Sequence, residues 1–121
     1  MKSALVAAGA INAVLAIAAG AFGAHGLRER LDVRRLEIFE TGARYHMYAA
    51  LGMILAGVIA AGGARLAGTG GWVLQAGIAV FSGSLYALAL SDVRALGAIT
   101  PIGGVALMAG FALIAVACLR G

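Results

Sequence analysis

The sequence predicts an all-α membrane protein, a compact four-helix transmembrane bundle with an amphipathic extension in its first loop. Three observations carry this. The chain of 121 residues is 63% hydrophobic and only 12% charged, about half the roughly 25% charge with which a soluble domain covers its surface. Four runs, residues 3–27, 45–64, 66–91 and 95–119, contain no Asp, Glu, Lys or Arg. Each reaches the roughly 20 residues with which a helix crosses about 30 Å of hydrocarbon. These runs are continuously apolar rather than alternating, which excludes a β-barrel. Backbone groups in lipid must then be satisfied within helices. A single domain, residues 1–121, is expected, with spans near 3–24, 43–61, 72–90 and 100–119.

The first span is rich in small residues, with ten Ala and three Gly between positions 3 and 24. Such a helix gains little from lipid contact and more from close approach to its neighbours. The apolar core is longer than the roughly 7–15 residues of a signal peptide, and no polar domain follows it. Small-xxx-small pairs recur at Ala19/Gly23, Ala56/Ala60, Ala79/Gly83 and Ala106/Gly110. A tightly packed bundle is the expectation. Cys118 lies in an apolar run and reads as a small packing residue.

Between Gly20 and Tyr48 lies the one long charged insert. It holds four of the five acidic residues, five of the nine basic ones and both histidines. Gly26 is placed to close the first helix with a positive φ. Asp32 suits the N-cap of an amphipathic helix over about 33–44. Val33, Leu36, Phe39, Ala43 and Met47 fall on one face, with Ile38 off it. Glu40 and Arg44 are spaced for an ion pair worth roughly 0.3–0.5 kcal/mol if exposed. The segment is an interfacial helix or the outward extension of the second span.

Ala61-Gly62-Gly63 ends the second span, and Gly68-Thr69-Gly70-Gly71 reads as a connector. Trp72 opens the third span, where an indole suits the headgroup boundary. Ser82 and Ser84 have hydroxyls to place within it. Thr100-Pro101 reads as N-cap and N1 of the fourth. Asn12 and Gln75 are the intramembrane polar side chains singled out, and each amide needs an interhelical partner.

Charge sets the orientation. Arg28, Arg30, Arg34, Arg35 and Arg94, with Arg44 at the edge, share one side; Lys2, Arg65 and Arg120 share the other. The excess places the first and third loops in the cytoplasm and both termini outside. His25, Glu40, Arg44, Tyr48, Asp92 and Thr100 then gather at one membrane end as a candidate polar cluster. The net charge of +4 suits anionic headgroups. The bilayer is the expected partner, a second copy of the chain a further one, and nucleic acid is not expected.

Chemistry finds little purchase. The two histidines, His25 and His46, and one distant cysteine offer no recognisable metal-ligand spacing, so no metal or cofactor is expected. There is no GxSxG element and no Gly-rich phosphate loop between strand and helix. No span contains an Asp, Glu, Lys or Arg of the kind that proton-coupled carriers place in the membrane. The reading is a non-enzymatic membrane protein with a structural or accessory role. A small transporter or channel entered at the first-loop end, and a lipid-binding protein, are the alternatives.

Four blocks in order, GAFGAHGL at 20–27, ETGARYHMY at 40–48, FSGSLYALAL at 81–90 and LGAITPIGG at 96–104, carry a resemblance over nearly the whole chain. The sequence resembles the family of small membrane proteins of unknown function that includes YgdD and transmembrane protein 256. The resemblance implies four spans in an inner membrane and implies no reaction. It also leads one to expect a histidine after the second tyrosine of RYxMY. Here that position is Ala49, and His46 lies two residues before Tyr48.

Overall fold

A computed structural model describes residues 3–120; Lys2, counted above with the far-side charges, lies outside them. Helix α1 is Ala4–His25 and α2 is Val33–Ala61. The third span is composite: α3 (Arg65–Gly77), a π-helical stretch (Ile78–Ser82) and α4 (Gly83–Ser91). A 3₁₀ turn (Arg94–Ala98) leads into α5, Thr100–Leu119. Four helices are long and apolar enough to cross a membrane. Among the described residues all regular structure is helical.

Local chemistry explains the helix ends. Ser3 accepts the Val6 N–H at 3.1 Å and starts α1. Asp32 accepts the Arg35 N–H at 2.8 Å and starts α2, as an N-cap carboxylate does. From there α2 runs 29 residues without a break, so the amphipathic segment is the outward extension of the second span. Its packed face is the expected one at Leu36, Phe39 and Ala43, with two differences. Val33 is exposed, while Ile38 packs against the cluster of Leu27, Phe39 and Ala89. The reason is the first loop, which folds Leu27 inward beneath α2.

Three expected ends differ. Gly26 has φ −94°, in the right-handed region, because its N–H and that of Leu27 both continue to the Phe22 carbonyl. Positive φ occurs instead at Gly63 and at Asp92. Asp92, at φ 55°, closes α4 through its N–H to the Leu88 carbonyl at 2.8 Å, a conformation that Asp tolerates better than most residues. Thr100 is already helical and caps nothing; Ile99 precedes the helix without a side-chain cap. The Gly68–Gly71 segment is not a connector either: α3 begins at Arg65 and includes it. Packing overrides the low helix propensity of those glycines.

That packing is close. A Cβ on Gly70 would sit 2.6 Å from the Gly110 carbonyl oxygen of α5. On Gly103 it would collide with the backbone nitrogen of Phe81. Between α1 and α2, a Cβ on Gly9 would lie 2.8 Å from the Ala50 carbonyl. Not every small pair is used this way. Ala79 is exposed and Gly83 has open space beside it, so that pair faces outward. Cys118 is exposed as well, rather than packed.

The spans are unequal in burial. Over an apolar 18-residue stretch of each span, 44% of residues are buried in α2 and 39% in the third span, against 22% in each of the other two. The central pair is therefore α2 and the third span, with α1 leaning on α2 and α5 on α3. The main core includes Leu5, Met53, Ala56, Leu74, Ile78 and Leu107. Gly103→Leu is expected to destabilise the bundle by about 1–3 kcal/mol, because the helix backbones must separate. Gly83→Ala should leave stability unchanged or raise it by up to about 1 kcal/mol. Thermal melting in detergent compares the two; equal losses would remove the close-approach account.

Candidate functional site

The centre of the bundle is apolar, with four polar side chains threaded through it. Asn12 sits midway along α1, His46 midway along α2, and Gln75 and Tyr86 on the third span. The Asn12 amide nitrogen donates to the Ala8 carbonyl at 2.9 Å and to Gln75 Oε1 at 2.8 Å. The same nitrogen lies 3.8 Å from Met53 Sδ. Asn12 Oδ1 faces His46 Nε2 at 2.8 Å, and His46 Nδ1 faces the Tyr86 hydroxyl at 3.0 Å.

The direction of each bond follows from the partners. The Ala8 carbonyl can only accept, so the amide nitrogen must point to it. Asn12 Oδ1 can only accept, so His46 Nε2 carries the proton. His46 Nδ1 is then bare and accepts from Tyr86. The result is one chain of donors, Tyr86 to His46 to Asn12 to Gln75, tying α1, α2 and the third span together. Both imidazole nitrogens are occupied, so His46 has none free for a metal. Among the described residues no group of three or more His, Cys, Asp or Glu converges.

Small residues bring these groups into reach. Gly42 lets the Tyr86 ring lie so close that a Cβ would be 3.0 Å from it. One turn further along α2, His46 meets the phenol. Ser82, fully buried in the π-helical stretch, donates to the Gly42 carbonyl at 2.8 Å. Such stretches re-aim side chains within a helix, and here Ser82 is turned onto α2. Among the described residues no buried side-chain nitrogen or oxygen lacks a partner.

The loop end holds a second set. Arg34 Nη2 lies 2.6 Å from Asp92 Oδ1, the one ion pair among the described residues. Arg35 donates through Nε to the Ala89 carbonyl at 2.7 Å and through Nη2 to the Leu90 carbonyl at 3.0 Å. These are the last carbonyls of α4, where a cation offsets the helix dipole. Arg34 beside it holds the Asp92 carboxyl below the usual carboxylate range, with Arg35 and Arg94 adding to the effect.

Of the six residues expected to gather here, none bonds to another. Asp92 pairs with Arg34. Thr100 Oγ1 lies 2.6 Å from Ser84 Oγ and 3.5 Å from the Leu96 carbonyl. His25 is exposed in the last turn of α1. Tyr48 packs edge-on to Tyr45, ring centres 5.3 Å apart. Glu40 and Arg44 form no ion pair, in line with the small gain such an exposed pair offers against side-chain entropy. Sequence reading missed His46, Tyr86 and the Arg34–Arg35 clamp. His46 passes a search for charged residues because its neutral form carries no charge.

Residues 19–104 match the family described as "Protein of unknown function (DUF423)". The chain belongs to that family. A relative in Bacillus subtilis, the UPF0382 membrane protein YwdK, is 46% identical over 114 residues, covering 93% of each chain. A UPF0382 membrane protein of Staphylococcus epidermidis is 46% identical over 112 residues, covering 93% of this chain and 92% of its own. One of Staphylococcus saprophyticus is 44% identical over 108 residues, with 89% and 90% covered. No solved structure matches. This DUF423 chain is therefore an integral membrane protein of a family whose molecular function is unknown.

The polar chain makes a sharp energetic prediction. Asn12→Leu and Gln75→Leu should each destabilise the bundle by roughly 0.6–2 kcal/mol. The double variant should lose less than the sum, because both remove one bond. Additive losses in a melting experiment would show that the two amides do not meet.

Proposed function

We propose that the chain is a non-enzymatic, structural or accessory component of the inner membrane, built as a closed bundle rather than a conduit. The observation that supports this most is that no buried side-chain nitrogen or oxygen among the described residues lacks a partner. The buried Asn12 and His46 are bonded to each other and to the half-buried Gln75 and Tyr86, and Ser82 donates to a carbonyl of α2. A permeating polar solute would have to break these bonds in a medium that offers no replacement. The relatives carry names that state a membrane location and no reaction.

The loop-end residues fit this reading as fastenings. Asp92 anchors α4 to the start of α2 through Arg34, and Thr100 ties the start of α5 to Ser84. His25, Glu40, Arg44 and Tyr48 complete the polar rim at that end. The surplus of arginine on the first and third loops supports placing them in the cytoplasm and both termini outside.

Two experiments test the proposal. Liposomes containing the purified protein should show no more proton or ion flux than empty ones, read with an entrapped pH-sensitive dye. Protein-dependent flux that Asn12→Leu abolishes would overturn it. For the orientation, a reporter fused after Gly121 should be active only outside; activity in the cytoplasm would reverse the assignment.

A further inference from the structure

The two inner spans are well covered, but one side of the bundle is not. Helices α2 and α5 barely touch, and a groove of about 570 Å³ lies between them. Its volume falls within the range of about 300–1,000 Å³ over which proteins hold small ligands. Thr41, Tyr45 and Tyr48 form one wall, Met108 and Phe111 the other, and Phe81 of the π-helical stretch contributes between them. The Tyr45 and Phe81 rings meet at a tilt of 58°, centres 5.1 Å apart. Tyr48, Met108 and Phe111 are all exposed, so the groove opens sideways, toward lipid. Along α5 it runs from Gly104 to Phe111, about 10 Å of helix.

No charged side chain lines this groove, but Arg44 flanks it on the α2 side. Arg44 sits on α2 between Thr41 and Tyr48, within one turn of each. It is exposed and has no hydrogen-bond or ion-pair partner among the described residues. The other two arginines of α2 are committed, Arg34 to Asp92 and Arg35 to the end of α4. Tyr45 and Tyr48 are 40% and 52% exposed, and of the tyrosine hydroxyls it is that of Tyr86 that is engaged, by His46. Side chains on a helix lean toward its N-terminus, which for α2 is the loop-side surface. That lean carries the Arg44 guanidinium and the two phenols toward the loop-side end of an apolar, aromatic trough. An unpaired arginine at the edge of hydrocarbon favours an anion.

We propose that the α2–α5 groove is a binding site for one anionic phospholipid, its acyl chain against Phe81, Met108 and Phe111 and its phosphate at Arg44. The structure joins two recognition elements that a general lipid-facing surface lacks, an apolar trough and a free cation beside it. This goes beyond the scaffold role above and does not depend on it.

Native mass spectrometry of the detergent-purified protein, offered phosphatidylglycerol and phosphatidylcholine with the same acyl chains, tests the site. One phosphatidylglycerol should be retained per chain in preference to phosphatidylcholine. Arg44→Gln should cut that preference by about five- to tenfold, the scale of one arginine near an anionic headgroup, and Arg44→Lys should restore it. Met108→Trp, which fills the trough at an exposed position, should lower retention, while Arg120→Gln at the far end should not. Equal binding of the two lipids, or an Arg44→Gln variant that behaves as wild type, would overturn the proposal. So would undiminished retention by Met108→Trp. Lipid-free dimers that Met108→Trp disrupts would assign the groove to a second copy of the chain instead.

Discussion

Hydrocarbon offers no hydrogen bonds, and this constraint organises the whole bundle. Every amide, hydroxyl and imidazole carried into the membrane must be answered by another protein group. Here the answer is a single directed chain, Tyr86 to His46 to Asn12 to Gln75. Its bonds run between helices, so satisfying them fixes which faces of α1, α2 and the third span meet. A bundle of Ala and Gly could slide or rotate with little loss of apolar contact. Four polar groups with one mutually satisfying arrangement remove that freedom.

Helix α5 has no part in the chain and is held differently. Gly70 and Gly110 let α3 and α5 approach until a Cβ would meet a carbonyl, and Gly103 admits the backbone of Phe81. Dispersion between closely spaced backbones takes the place of hydrogen bonding, with Ser84 and Thr100 adding one bond at the loop end. The same π-helical stretch that turns Ser82 onto α2 presents Phe81 to Gly103. One irregularity in the third span thus serves both neighbours.

The spans were legible in the sequence because lipid tolerates so few charges that their absence over some 20 residues is itself a signal. The N-cap at Asp32 was legible because a short carboxylate before an apolar run has a specific partner, the Arg35 N–H. The amides of Asn12 and Gln75 stood out as polar atoms needing partners. His46 did not, since it carries no charge when neutral, and Tyr86 reads as one more aromatic. A usable signal existed in the spacing. Leu5, Gly9, Asn12, Ala16 and Gly23 on α1, and Gly42, His46, Ala49, Met53 and Ala56 on α2, are all buried. Their steps of three, four or seven residues mark the packed seam of each helix, and the polar residues lie in register with it. The Gly68–Gly71 segment misled because local propensity favours a turn there, while contacts with α5 hold it helical. Thr100 misled in the same way, its hydroxyl being taken up by Ser84, whereas at Gly26 the local helical ladder simply continues to the Phe22 carbonyl.

The polar chain stands on the state of one imidazole, that of His46. Solid-state NMR of the protein in lipid, with its histidines labelled in nitrogen-15, reads that state directly. His46 should be a single neutral tautomer, protonated on Nε2 and bare on Nδ1, with a through-space contact from Nε2–H to the Asn12 side chain. A His46 protonated on Nδ1, or one exchanging between forms as an imidazole in water does, would contradict it.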